Sequence, residues 1–163
     1  MTLDRQALTV IVAAIALQAA AAQVSGVSMS VMDGTGTAAG KMCEPFDCVP
    51  HQLAVGTDES LVVEMYGLAD QPYILFAGPP GKVCFELPWV LGGLTMDLPV
   101  SIVEVGLVPA SGLPSKCGLD TATFHLPIPA GLPAGATVVL QTAAWPWMID
   151  LPAFSRAVQL TVN

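Results

Sequence analysis

The stretch Ser60-Leu61-Val62-Val63-Glu64-Met65-Tyr66 decides the fold class. Leu61, Val63 and Met65 fall on one side of an extended chain and Val62, Glu64 and Tyr66 on the other, the two-residue period of a strand with one face in a core. The rhythm returns downstream. Phe124, Leu126 and Ile128 alternate with Thr123, His125 and Pro127; Val138 and Leu140 point inward where Gln141 points to water; Val158, Leu160 and Val162 alternate with Gln159 and Thr161. Shorter or weaker strands are expected at Val27 to Met32, with Val27, Met29 and Val31 inward against Ser28 and Ser30, and at Gln52 to Val55, Tyr73 to Phe76, Lys82 to Leu87 and Ser101 to Val108. The 29 glycines and prolines recur about every five residues once they begin, and leave no window in which a helix could propagate.

Eight or nine strands joined by Gly and Pro turns predict an all-β domain, a two-sheet antiparallel β-sandwich of jelly-roll or Ig-like type. A single open sheet would leave one apolar face wet. The prolines of Phe124 to Pro129 confine that segment to an edge or a strand end, because proline donates no ladder hydrogen bond.

Ahead of these strands, Met1 to Gln6 carries Arg5, Ala7 to Leu17 is an apolar run of eleven residues, and Gln18-Ala19-Ala20-Ala21-Ala22-Gln23 supplies small residues at alternate positions. This is the three-part pattern of a secretory signal peptide, helical in its apolar part, with cleavage after Ala22. The apolar run is too short for the roughly 20 residues a membrane-spanning helix needs. The expected product is therefore one domain, residues 23–163, secreted or held at the cell surface without a membrane span.

The chain carries a net charge of −8, and the cations after residue 22 are Lys41, Lys82, Lys116 and Arg156. Such a field repels phosphate backbones and argues against nucleic acid as a partner.

Four cysteines in an exported chain, Cys43, Cys48, Cys84 and Cys117, imply two disulfides and three formal pairings. The turn-forming stretch Cys43-Glu44-Pro45-Phe46-Asp47-Cys48 favours Cys43 with Cys48, leaving Cys84 with Cys117. The rival is a zinc site at Cys43, Cys48 and His51, but export favours oxidised cysteines and the spacing matches no common zinc module. No metal or other cofactor is expected.

Catalytic groups are sparse. His51 and His125 are the two histidines, no Gly-x-Ser-x-Gly occurs, and Ser111, Ser115 and Ser155 have no base nearby in sequence. A glycosidase needs two acids across a cleft, and Asp58, Glu59, Asp70, Glu86, Asp97, Glu104, Asp120 and Asp150 fall mainly in turns or outward strand slots. The loop Asp33-Gly34-Thr35-Gly36-Thr37 lacks the further acids that calcium requires and reads as a linker.

The binding candidates are aromatic: Trp145 and Trp147, stiffened by Pro146, and Trp89 in Leu87-Pro88-Trp89-Val90. Flat side chains of this kind stack on sugar rings or anchor a protein partner, or else plug the open end of the sandwich.

The order Phe124-His125-Leu126-Pro127-Ile128-Pro129, Leu132-Pro133-Ala134-Gly135, Val138-Val139-Leu140-Gln141, and Phe154-Ser155-Arg156-Ala157-Val158-Gln159-Leu160-Thr161-Val162 resembles the closing strands of secreted β-sandwich modules of planctomycete-type bacteria. Leu61 to Gly67 followed by Tyr73 to Gly78 looks like an earlier hairpin of the same modules, while the cysteine-bearing segments depart from them. The resemblance implies a fold and an export route, and no activity. The expected role is thus a non-catalytic binding or structural module with a glycan or protein partner, and oligomers are open to it. The alternatives are a self-assembling extracellular subunit that donates Gln23 to Met32 as a strand, and a small carbohydrate-active hydrolase.

Overall fold

The computed structural model describes residues 27–110, 119–145 and 151–163. The signal peptide expected at 1–22, and with it Cys117 and Trp147, lie outside the described residues. No helix among the described residues is long and apolar enough to cross a membrane.

Every strand expected from the alternation is present: β1 (Ser28–Met32), β3 (His51–Val55), β4 (Ser60–Gly67), β5 (Pro72–Gly78), β6 (Pro80–Glu86), β8 (Ser101–Leu107), β9 (Asp120–Pro127), β10 (Thr137–Ala144) and β12 (Val158–Val162). Three short strands join them, β2 (Ala38–Gly40), β7 (Gly93–Met96) and β11 (Ala153–Phe154).

One sheet has the order β2-β1-β4-β9 and the other β3-β12-β10-β5-β8, with β11 on β10. All of these pairings are antiparallel except that of β3 with β12, which runs parallel from Val158↔His51 to Val162↔Val55. Placing β4 beside β9 in one sheet and β5, β10 and β12 together in the other follows the immunoglobulin-like strand order rather than the jelly roll. The segment carrying Pro127 is the edge strand β9, where the missing N–H costs nothing.

The core lies between the two sheets. Leu61, Val63 and Met65 of β4 are 0–2% exposed and meet Leu53, Leu75, Leu140, Val158 and Leu160 from the opposite sheet. Each such side chain contributes about 1.5–3 kcal/mol relative to an exposed one. The Thr142 hydroxyl, otherwise stranded in this apolar layer, points across it to the sulfurs of Met29 (3.5 Å) and Met65 (3.3 Å).

A third layer departs from a plain sandwich. The hairpin β6-β7 lies over the outer face of β10, with Met96 packed on Val139 and Ala157, and Phe76, Leu94 and Val100 around them. Gln141, expected to face water, keeps its outward direction but is completely buried beneath this hairpin. Its Oε1 accepts from the Thr95 N–H (3.0 Å) and hydroxyl (3.3 Å), and its Nε2 donates to the carbonyls of Gly93 (2.8 Å) and Ser155 (2.9 Å). One side chain therefore saturates its hydrogen-bonding capacity and fixes β7 to the sheet.

The other sheet has a similar correction. Ser28, Ser30 and Tyr66 point outward as expected, yet all three are buried. The Cys43 N–H donates to Ser28 Oγ (3.0 Å), Ser30 Oγ donates to Glu64 (3.1 Å), and the Tyr66 hydroxyl donates to Glu64 and lies 3.0 Å from Ser30 Oγ.

The cysteine pairing is also corrected. Cys48 is bonded to Cys84, 36 residues away, which excludes both expected bridges, Cys43 with Cys48 and Cys84 with Cys117. Cys43 is itself disulfide-bonded. The physical reason lies in the segment between Cys43 and Cys48, which is drawn onto the sandwich instead of turning back on itself. Glu44 sits 2.6 Å from His51 Nε2 and accepts from Arg156 Nη1 (3.0 Å), and Arg156 Nε donates to the Val49 carbonyl (2.7 Å). That clasp delivers Cys48 to β6, so the bridge ties the third layer to the body.

Candidate binding surface

The two described tryptophans reach the same end of the larger sheet. Trp89 follows β6 and is 61% exposed; Trp145 follows β10 and is 41% exposed. Leu91 bridges Ala153, and Ala153 pairs with Ala144, so the chain next to each tryptophan is separated only by β11. At about 4.8 Å per strand spacing, Leu91 and Ala144 lie roughly 10 Å apart. Neither side chain plugs the sandwich.

Trp145 belongs to a wider apolar surface that the alternation pattern did not reveal. Along β10 the side chains of Val139, Gln141 and Ala143 point outward and Trp145 continues the row. The Trp145 N–H donates to the Pro72 carbonyl (3.1 Å), Ala143 pairs with Ile74, and Gln141 with Phe76. On β8 the partners of Pro72, Ile74 and Phe76 are Leu107, Val105 and Ile102. A β-bulge between the Glu104 and Ile102 rungs brings Val105 and Ile102, three residues apart, onto one face. Ile102, Val105 and Leu107 are 60–63% exposed. The hairpin covers the half of this face around Val139 and Gln141 and leaves the half around Ile74, Val105, Leu107 and Trp145 open. Leu98, 83% exposed, follows β7 and extends the apolar character of the hairpin itself.

Val103, at the bulge, packs against the core, while the inner positions nearer the end of β8 hold Glu104 and the bare Gly106. Gly106 lies under the Tyr73 ring, and a Cβ there would stand 2.8 Å from the Tyr73 hydroxyl. Burial, then the negative charge of Glu104, pushes the Tyr73 phenol above its ordinary value. Glu104 therefore sits at the sheet edge beside Tyr73, with its carboxylate exposed.

The remaining sequence candidates are engaged in local structure. The Cys48 sulfur is bonded to Cys84 and His51 to Glu44, so the Cys43, Cys48 and His51 set does not converge as metal ligands. Among the described residues no group of three or more His, Cys, Asp or Glu is placed to hold a metal ion. Asp33 Oδ1 accepts from the Thr35 N–H (2.9 Å), the Thr35 hydroxyl (2.7 Å) and the Thr37 N–H (2.8 Å), closing the turn between β1 and β2. Those bonds, the Thr35 hydroxyl foremost, hold its carboxyl below the usual range. His125 is exposed on β9. A cleft of about 120 Å³ between the hairpin and β12 is lined by Cys48, Pro50, Lys82, Val83, Cys84 and Gln159 among others, and no carboxylate lines it.

Comparison with known proteins returned no matching family and no matching curated protein. The functional reading therefore rests on the chain's own surface.

Proposed function

We propose that this chain is an exported, non-catalytic β-sandwich module that binds a protein, and that the open half of the β10-β5-β8 face is its binding surface. The observation that carries this is the contiguous row of Val105, Leu107 and Trp145, large apolar side chains left to solvent beside the half-buried Ile74. Exposed patches of this kind mark interaction sites, and tryptophan is the residue most enriched where binding energy concentrates. A protein partner suits the surface better than a glycan, because aliphatic groups surround Trp145 where a sugar would need hydrogen-bonding side chains. The Cys48–Cys84 bridge supports an oxidising compartment. The likeness of the closing strands to secreted modules supports the export part of this reading. Strand donation has less support, because β1 is paired on both sides within its own sheet and Met29 and Val31 are in the core. A hydrolase has less support still, since the cleft between the hairpin and β12 is lined, among the described residues, by a lysine and by no acid pair.

The test is retention of the purified protein on the cells that export it. Val105→Thr, Leu107→Ser and Trp145→Ser combined should leave the melting temperature within a few degrees and abolish retention. Full retention by a folded triple variant would overturn the assignment; a variant that fails to fold would return these side chains to the core.

A further inference from the structure

The binding surface ends at a strand edge that no described residue covers. β8 pairs with β5 and with no other strand among the described residues. The Trp145 N–H donates to the Pro72 carbonyl, so the main-chain groups of Pro72 turn toward β10, and alternation turns those of Tyr73 and Leu75 toward β8. Their register partners Gly106 and Glu104 close that ladder, and the Val108 N–H continues it to the Gln71 carbonyl (3.0 Å). The N–H and C=O of Val105 and Leu107 are left directed along the free edge, while their side chains stand on the open apolar face.

The two edges of the four-stranded sheet carry the usual protection against pairing. β9 has Pro127 and an exposed His125, and β2 is three residues long. β8 has seven residues, Ser101-Ile102-Val103-Glu104-Val105-Gly106-Leu107, with neither proline nor lysine. Its inner side offers the bare Gly106 and the exposed carboxylate of Glu104.

We propose that the free edge of β8 accepts an extended segment of the partner protein as an added strand, apolar at alternate positions and carrying Lys or Arg where it meets Glu104. This rests on the binding reading above and gives the partner its chemistry. Main-chain hydrogen bonds to Val105 and Leu107 fix the segment, and its alternate side chains lie beside Ile102, Val105 and Leu107. The intervening side chains fall beside Gly106 and Glu104, where a cation pairs with the carboxylate. The net charge of −8 favours a basic partner and disfavours a second copy, which would bring another strongly acidic molecule and its own Glu104 to the same edge.

The test is fluorescence anisotropy with the full protein and two labelled nonapeptides that alternate Val and Thr, one with a central Lys and the other with a central Glu. The Lys peptide should bind at least tenfold tighter. Val105→Pro removes the outward N–H without touching the ladder to β5 and should weaken binding at least tenfold. Glu104→Lys, which leaves the backbone unchanged and guards against misfolding of the proline variant, should reverse the preference between peptides. Equal binding of the two peptides, or undiminished binding by folded Val105→Pro, overturns strand addition. Binding lost in Trp145→Ala but kept in Val105→Pro would sink the edge mode while the apolar face remained the binding surface. A dimer abolished by Val105→Pro would make the second copy the occupant and overturn the basic partner.

Discussion

Replacing Gln141 with leucine, a side chain of similar size that cannot hydrogen-bond, should loosen the third layer. The glutamine is fully buried, and its loss strands the Thr95 N–H and the carbonyls of Gly93 and Ser155. Each buried main-chain group left without a partner costs about 1–3 kcal/mol. Partial relaxation of the hairpin brings the sum to about 3–6 kcal/mol, against which the added apolar burial returns about 1 kcal/mol. At roughly 3 °C per kcal/mol for a domain of this size, the melting temperature should fall by about 6–15 °C. The Cys48–Cys84 bridge keeps the hairpin attached, so the first event should be local opening of β7 rather than global unfolding. Hydrogen exchange read by mass spectrometry should show faster exchange in Gly93 to Met96 and unchanged protection in β4. Gln141→Glu sharpens the test, because an ionised carboxylate would face two carbonyl oxygens. Its buried carboxyl would have a raised pKa, so the loss should be larger at pH 7 than at pH 4. A Gln141→Leu protein with unchanged exchange at Thr95 and a melting temperature within 1 °C of the parent would refute the clamp.

Peptide mapping without reduction should recover Cys48 linked to Cys84, and Cys84→Ser should lower stability by about 3–4 kcal/mol in denaturant melts, the entropy of a 36-residue loop; a Cys43–Cys48 linkage would contradict the fold. Alkali should destabilise the protein through Tyr66, whose phenol is pushed up to about 12, first by burial and then by its hydrogen bond to Glu64. The unfolded phenol ionises near 10, so this contribution is intact below pH 10 and is lost as pH rises toward 12. The loss is of order 1–2 kcal/mol, and Tyr66→Phe should flatten that part of the pH–stability curve. Gly40→Ala should cost at least about 2 kcal/mol, since Gly40 has φ +84° and a Cβ there would lie 2.2 Å from the Met29 carbonyl oxygen; a melting curve matching the parent would show that β2 pairs otherwise.

The alternation in Ser60 to Tyr66 and its repeats carried the strands, the inward side chains and the edge position of Pro127, because period and proline chemistry are local properties. β2, β7 and β11 escaped because two to four residues such as Ala153-Phe154 hold no period; partners supplied by the rest of the fold make them strands. Gln141, Ser30 and Tyr66 show where the rhythm stops informing. It gives the direction of a side chain but not whether another layer lies beyond it. The disulfide failed for a related reason. Loop closure favours near neighbours, yet Glu44 is held by His51 just beyond Cys48 and by Arg156, 112 residues away, and that clasp decides where Cys48 points. Trp145 was legible as an aromatic candidate. The surface around it was not, because strict alternation puts Ile102 and Val105, three residues apart, on opposite faces, and only the bulge in β8 brings them onto one.

The parallel pairing of β3 with β12 has a mechanical consequence. The chain enters this pair at His51 and leaves it at Val162, at opposite ends of the five registered positions. Tension applied between residues 50 and 163 would slide the two strands lengthwise and load all their cross-strand bonds at once, where an antiparallel terminal pair would peel open bond by bond. Stretched between two attachments, the module should yield in one abrupt step.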